Sequence, residues 1–212
     1  MGELGRLDSI VFDLDGTFWD TCHSCAVAWN RVAARNRIAF REITYDDVRR
    51  VTGRPHEDCI REVFAGLSEP ELRLLITETM VEDNVAVAEH GGEIYEGVRE
   101  GLARLKASHD LFIVSNCQQG YIEIFLEWSG MADLFQDHEC WGNTGQPKGE
   151  NLKAVITRNG LAAPVMVGDT DGDYQAARQN HIPFVQVTYG FGEPLQGCAK
   201  AGSFTELVEM MG

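Results

Sequence analysis

Three absences limit what this chain of 212 residues can do. No apolar run approaches the ~20 residues of a membrane-spanning helix. The opening residues, MGELGRLDSIVFDLDG, lack the basic segment and apolar stretch of a secretory signal, which predicts a cytoplasmic protein. Basic side chains are few, since 18 Lys and Arg stand against 33 Asp and Glu and give a net charge of −15. This charge disfavours nucleic acid and membrane surfaces as partners, but local cations can still hold a small anionic substrate.

Paired cysteine motifs are also scarce. Of six cysteines only Cys22 and Cys25 are close in sequence, as C-H-S-C, and they fall in a predicted helix. No second pair completes a four-ligand zinc site. We interpret the cysteines as structural or incidental thiols of a reducing compartment. The chain is long enough for one large core and a smaller second lobe, and nothing in it demands more than a monomer or a weak homodimer.

Strand-like and helical segments alternate over most of the chain. Short apolar runs predict strands at 10–12, 111–114, 164–167 and 184–187. Helical spacing predicts helices at 98–106, 120–128, 150–158, 174–179 and 204–211, with a turn-rich loop between 134 and 149. Strands separated by helices imply parallel crossovers, so we predict a doubly wound α/β sheet.

Residues 21–92 show only helical patterns. The predicted helices cover 22–40, 44–51 and 56–65, and a long fourth helix runs from Pro70 to the pair Gly91-Gly92. This segment interrupts the sheet directly after its first strand. We therefore predict an inserted all-helical lobe at 21–92 and a sheet core built from residues 1–20 and 93–212.

The first strand ends in two carboxylates, within Ile10-Val11-Phe12-Asp13-Leu14-Asp15-Gly16-Thr17. Because strands have a period of two, Asp13 and Asp15 point the same way if the extended conformation continues. Ionised carboxylates at that separation repel one another unless one is protonated or a cation lies between them. The motif alone is consistent either with an ordinary Asp-Gly turn or with a Mg²⁺ site.

Other polar side chains follow the later strands. Ser115 and Asn116 come after the second strand, Lys148 precedes a helix, and the loop 168–173 contains Asp169 and Asp173. Ligands of open α/β sheets bind outside the carboxyl ends of the strands, so these groups should converge. Carboxylates suit Mg²⁺, whereas a hydroxyl and a lysine suit a phosphate group. The combination indicates phosphoryl transfer.

The order of these motifs resembles the haloacid dehalogenase-like superfamily, whose members are mostly phosphatases. The resemblance covers nearly the whole chain. Its motifs are D-x-D-G-T at 13–17, an apolar strand ending in Ser115, a lysine before a helix at Lys148, and G-D-x-x-x-D at 168–173. The third motif often reads Lys-Pro, whereas here Pro147 precedes the lysine. The resemblance implies a Rossmann-like core with a small helical cap, as in phosphoglycolate-phosphatase-like members.

The resemblance also implies a role for each motif residue. Asp13 would attack phosphorus and form an aspartyl-phosphate, and Asp15 would act as acid and base and bind Mg²⁺ through its backbone carbonyl. Asp169 would complete the metal site, with Asp13 as a ligand and Asp173 as a ligand or support. The phosphate would be bound by Ser115, Asn116 and Lys148. Arg54, between two cap helices, would meet a second anionic group of the substrate.

Two other functions remain open. A phosphomutase of the β-phosphoglucomutase type shares the cap but carries a cap histidine where this chain has Cys25. A non-catalytic member would bind a phosphorylated ligand without turnover, although all the proposed reactive residues are present. Whether Arg54 and Trp19 contact substrate does not follow from the sequence. We predict a Mg²⁺-dependent phosphatase that acts on a small phosphorylated metabolite.

Overall fold

Six parallel strands form the central sheet of the protein, whose computed structural model describes residues 7–212. The described residues contain eight strands, of which β2 and β3 form a separate two-stranded sheet. In chain order they are β1 (Ser9–Phe12), β2 (Trp19–Asp20), β3 (Glu93–Ile94), β4 (Asp110–Ser115), β5 (Phe135–Cys140), β6 (Pro164–Gly168), β7 (Phe184–Val187) and β8 (Ala199–Ala201). The sheet order is β5-β4-β1-β6-β7-β8, and every neighbouring pair is parallel. β1 therefore lies in the middle, which places Asp13 at the centre of the sheet edge.

Within residues 7–212, ten α-helices accompany the strands. They are α1 (Cys22–Arg35), α2 (Tyr45–Arg49), α3 (His56–Val63), α4 (Glu69–His90), α5 (Val98–Lys106), α6 (Tyr121–Ser129), α7 (Trp141–Thr144), α8 (Lys148–Asn159), α9 (Asp171–Gln179) and α10 (Phe204–Met211). No helix within residues 7–212 combines the length and the apolar character needed to cross a membrane.

Successive side chains of a strand are buried on opposite faces of the sheet. Ile10 and Phe12 point to the face covered by α5, α6 and α10, whereas Val11 between them points to the face covered by α8 and α9. Helices on both faces explain why the strands are continuous apolar runs. The predicted doubly wound α/β core is confirmed.

Helices α1–α4 form the all-helical cap, whose buried side chains make a cluster of their own around Trp29, Ile60 and Phe64. α1 packs along α4, while α2 contacts α1 and α3 contacts α4. The chain leaves and re-enters the core side by side, because β2 and β3 pair antiparallel through Trp19 with Ile94 and Asp20 with Glu93. This two-stranded connection is the junction between cap and sheet.

Several element bounds differ from those expected. α1 ends at Arg35, five residues early, and the region expected as a loop after residue 134 contains β5 and α7. The strand β5 reads FQDHEC, so its polar residues conceal it from a search for apolar runs. α9 begins at Asp171 because Thr170 and Asp173 form a capping box there.

Candidate active site

Lys148 is buried between two carboxylates. Its Nζ lies 2.6 Å from Asp13 Oδ1 and 2.6 Å from Asp173 Oδ1, and the three side chains are at most 5% exposed. Burial alone would lower the pKa of Lys148, but attraction to the two carboxylates outweighs it and raises that pKa above its usual value. The lysine is therefore cationic, and it holds the ends of β1 and α9 together at the first residue of α8.

Asp173 has both oxygens occupied. Oδ1 accepts from Lys148, and Oδ2 accepts from the backbone N–H of Thr170 at 3.0 Å and from its hydroxyl at 2.7 Å. The side chain thus caps α9 and fixes the lysine at once. Whether Asp173 is a metal ligand or a support stays a prediction.

Asp13 and Asp169 each keep one oxygen free. Asp13 Oδ2 and Asp169 Oδ1 are buried without a hydrogen-bond partner in the described part of the chain. Carboxylate oxygens of Asp13, Asp169 and Asp173 lie within 4.8 Å of one another. Three buried carboxyl groups at this spacing, two of which keep an unpartnered oxygen, fit a divalent cation such as Mg²⁺.

Electrostatic repulsion is visible in the pKa values of this cluster. Burial, and then the charge of Asp173, raise the pKa of Asp13 well above its usual range, and Lys148 opposes the shift. Burial and Asp173 likewise raise the pKa of Asp169 to about 7, against two backbone N–H groups of Phe191 and Gly192 that donate to Oδ2. One lysine does not neutralise three buried carboxylates, so the cluster favours a second cation or a proton.

Gly16 allows the carboxylates to approach. Its φ is +83°, and a Cβ there would lie 2.4 Å from Asp169 Oδ2. Strand β1 ends at Phe12, and the chain turns at Leu14, whose carbonyl accepts from the backbone N–H groups of Thr17 and Phe18. Asp13 and Asp15 therefore reach different neighbours.

Asp15 is held apart from that cluster. Its Oδ1 accepts from the Tyr121 hydroxyl at 2.9 Å, and the Thr21 hydroxyl lies 3.4 Å away. Burial raises the pKa of Asp15 to about 6, although these hydrogen bonds to the carboxylate lower it. A carboxyl with such a pKa can give and take a proton near neutral pH.

A narrow cavity of about 70 Å³ opens beside Asp13 and Asp15 and reaches into the cap. Ser115, Asn116 and Arg54 line it, and their expected role in binding substrate stays a prediction. The Ser115 hydroxyl accepts from the backbone N–H of Cys117 at 3.2 Å, and Asn116 donates to the carbonyl of Gly53 at 3.0 Å. The second contact joins the core loop to the cap loop over the site.

Arg54 lies at the exposed rim of this cavity. Its guanidinium is 2.7 Å from Glu62, which holds the pKa of that carboxyl below its usual value. The expected contact of Arg54 with a second substrate anion stays a prediction.

Two residues of uncertain role have a clear place. Trp19 is fully buried and packs edge-on against Tyr121 and Phe125, at the junction between cap and core. Cys25 lines the cavity, and burial raises the pKa of its thiol well above the usual value. The neighbouring His23 is exposed, and its ring packs against that of Tyr45 with the centroids 4.8 Å apart and the planes tilted by 40°.

Sequence reasoning missed Tyr121, Thr21 and the cap residues that meet at Asp83. Tyr121 is 106 positions from Asp15. It lies in the first turn of α6, whose sequence pattern predicted a helix but gave no sign of a functional side chain. The Thr170–Asp173 capping box, by contrast, could have been found from the T-x-x-D spacing.

Taken together, the site has the groups for phosphoryl transfer at one sheet edge. The Asp13 and Asp15 carboxyls and the Ser115 hydroxyl line the cavity, and the Lys148 ammonium contacts Asp13. This set suits the attack of Asp13 on a phosphorus atom with Asp15 exchanging the proton.

Replacing Lys148 by Met tests the electrostatic role of the lysine. The variant leaves buried carboxylates unpaired, so its free energy of unfolding at pH 8 should fall by about 3–5 kcal/mol. Since the raised pKa of Asp169 is about 7, lowering the pH from 8 to 5.5 protonates Asp169, removes one of the repelling charges and should recover part of that loss. Urea unfolding at both pH values is the measurement.

Lys153→Met on the exposed face of the same helix is the matched control, and it should change stability by less than about 0.5 kcal/mol. A Lys148→Met protein that is as stable as the control at pH 8 would contradict the electrostatic account.

Comparison with known proteins agrees with the geometry. The family model described as haloacid dehalogenase-like hydrolase matches residues 10–187. The phosphoglycolate phosphatase of Agrobacterium fabrum is 30% identical over 191 residues, covering 85% of this chain and 80% of the relative. The enzyme of the same name from Caulobacter vibrioides is 26% identical over 193 residues, covering 87% and 81%.

Solved structures share the fold. A haloacid dehalogenase-like family hydrolase from Streptococcus pneumoniae superposes with a TM-score of 0.84 at 19% identity, over 96% of this chain and 98% of that one. The family-model match and the 30% identical relative show that the chain belongs to the haloacid dehalogenase-like hydrolases, as a phosphatase of that family.

Proposed function

We propose that this phosphatase is Mg²⁺-dependent and hydrolyses a small phosphorylated metabolite through a phosphorylated Asp13. The observation that carries the proposal is the Asp13 carboxyl, which lines the cavity, contacts Lys148 through Oδ1 and keeps Oδ2 unpartnered. A carboxylate with two oxygens can present one to phosphorus and the other to a cation.

In the first step a carboxylate oxygen of Asp13 forms a bond to phosphorus as the ester P–O bond breaks. Asp15 gives its proton to the leaving oxygen, which departs as an alcohol. Lys148 balances the negative charge of Asp13 during the approach of an anionic substrate.

In the second step Asp15, now ionised, takes a proton from a water molecule. The water oxygen bonds to phosphorus, the bond to Asp13 breaks, and phosphate leaves with the Asp13 carboxylate restored. Tyr121 donates to Oδ1 of Asp15, which leaves the other oxygen of Asp15 for proton exchange. Atoms and protons balance over the two steps.

Asp13 and Asp169 supply the oxygens that would hold Mg²⁺, with Asp173 behind them, and the backbone carbonyl of Asp15 is a further proposed ligand. Once bound, Mg²⁺ would offset the repulsion between the carboxylates and the phosphate oxygens. We further propose that Ser115, Asn116 and Lys148 bind the phosphoryl group.

The division into a core (1–20 and 93–212) and a cap (21–92) belongs to the same proposal. The β2–β3 pair is the connection, and the contact of Asn116 with Gly53 links cap and core above the cavity. Relatives named for phosphoglycolate act on a small phosphate ester, which falls within the proposed substrate class.

The phosphomutase alternative lacks support in the cap. Cys25 lies at the cavity, where its buried thiol stays protonated, and His23 is on the exposed side of α1 against Tyr45. The unpartnered oxygens of Asp13 and Asp169 would have no role in a protein that only binds its ligand. Hydrolysis is the function that uses all these groups.

Asp13→Asn should lower the turnover of p-nitrophenyl phosphate by at least about 10³-fold, because the amide is a poor nucleophile. Its melting temperature should be unchanged or higher, since the substitution removes a repelling charge. Asp110→Asn, at the exposed start of β4, is the control and should keep wild-type turnover. Wild-type turnover in the Asp13 variant would refute the mechanism.

Asp169→Asn should raise the Mg²⁺ concentration for half-maximal activity by at least about tenfold, because it neutralises one of the two carboxyl groups that keep an unpartnered oxygen. Asp171→Asn, exposed two residues away, should leave the Mg²⁺ titration unchanged. Activity that does not depend on Mg²⁺ in the wild type, or equal shifts in both variants, would exclude this metal site.

A further inference from the structure

Phe191 belongs to the core loop that follows β7, yet its ring packs against the cap. The ring is partly buried against the apolar cluster of the cap, and the guanidinium carbon of Arg49 on α2 lies 5.6 Å from the ring centroid. Arg49 also donates to the carbonyl of Gly190 at 3.2 Å. The cap therefore contacts this core loop through one side chain and through one backbone hydrogen bond.

The same loop binds a proposed metal ligand. The backbone N–H groups of Phe191 and Gly192 donate to Asp169 Oδ2 at 2.7 and 3.2 Å. These bonds leave Oδ1, which has no partner among the described residues, as the oxygen available to a cation. Phe191 thus contacts the cap with its ring and the carboxylate of Asp169 with its backbone.

The loop lies so close to Asp169 that the two cannot move independently. A Cβ on Gly190 would lie 2.6 Å from Asp169 Oδ2, and one on Gly192 would lie 2.1 Å from the Asp169 carbonyl oxygen. Gln186 holds that carbonyl from β7, with Nε2 donating at 2.9 Å. Because packed groups have no free space around them, a shift of the loop changes the orientation of the carboxyl.

The cap also lies against the residue that follows Asp169. A Cβ on Gly53, in the cap loop before α3, would lie 2.9 Å from Thr170 Cγ2. Thr170 is the N-cap of α9 and is joined to Asp169 by one peptide bond. The cap therefore contacts the loop that carries Asp169 as well as the loop that donates to it.

We propose that Phe191 is a positioning residue for the metal site: its ring, held by the cap, fixes the backbone N–H that orients Asp169, so that docking of the cap strengthens Mg²⁺ binding. The inference rests on the proposed function, because it takes Asp169 as a ligand of Mg²⁺. Coupled equilibria affect each other equally, so bound Mg²⁺ also stabilises the docked cap.

Phe191→Ala removes the ring and keeps the backbone N–H. Mg²⁺ binding is measured on the full chain without substrate, from the rise in melting temperature with Mg²⁺ concentration. The apparent dissociation constant of Mg²⁺ should increase by at least about fivefold in this variant. Phe191→Leu, which keeps an apolar side chain for the cap to hold, should stay within about twofold of the wild type.

Phe40→Ala is the matched control. Phe40 is also a partly buried aromatic residue packed against the cap cluster, with its ring centroid 4.9 Å from that of Phe64, and it lies outside the loop that holds Asp169. Its removal should lower the melting temperature of the metal-free protein. The dissociation constant of Mg²⁺ should stay within about twofold of the wild type, because loss of cap packing alone does not move Asp169.

Arg49→Ala decides the question if Phe191→Ala does not fold. Loss of a positive charge would by itself strengthen the binding of a cation. Loss of the bond from Arg49 to the Gly190 carbonyl should instead weaken Mg²⁺ binding, by at least about threefold. Arg50→Ala removes an equal charge from a neighbouring exposed residue that pairs with Glu62, and it should not weaken Mg²⁺ binding.

A Phe191→Ala protein that binds Mg²⁺ as tightly as the wild type would overturn the inference. An equal loss of Mg²⁺ affinity in Phe40→Ala would overturn it as well. The proposed function is tested separately by the wild type. If Mg²⁺ leaves the melting temperature of the wild-type protein unchanged, the proposed metal site fails, and the inference fails with it.

Discussion

The ion pairs of Lys148 with Asp13 and Asp173 are the interaction on which the site depends. Three carboxylates are buried within a few ångströms at the sheet edge, and charges of one sign cannot remain there alone. The lysine compensates part of that charge, and it joins β1, α8 and α9 at one point. The remaining negative charge, together with the free oxygens of Asp13 and Asp169, favours binding of a metal cation.

The rest of the molecule can be understood as support for that edge. Covering both faces of the sheet places β1 in its centre and delivers Asp13 next to the ends of β4 and β6. The cap is joined to the core by a short two-stranded connection, and its residues line the other side of the cavity. Under the proposed function, cap residues would select the substrate and core residues would carry out the reaction. Asp15 lies between the two, fixed by a hydroxyl from each side of the junction, Thr21 and Tyr121.

The amount that sequence predicts differs by residue. The placement of Asp13, Ser115 and Asp169 at one sheet edge was predictable, because each follows an apolar strand and parallel strands bring their carboxyl ends together. The burial of Lys148 was not, since its partners lie 135 and 25 positions away. Tyr121 and Asp83 look like ordinary helix residues until tertiary packing brings them to the cavity. β5 was missed because its polar sequence lacks the apolar signal of its neighbours.

The central claim is that the Asp13 carboxyl becomes phosphorylated during turnover. Rapid acid quench of the wild-type protein mixed with Mg²⁺ and p-nitrophenyl phosphate, followed by peptide mass spectrometry, measures this directly. The account predicts one phosphoryl group, located on Asp13 and absent from Asp13→Asn. Full turnover without a protein-bound phosphoryl group, or with that group on another side chain, would contradict it.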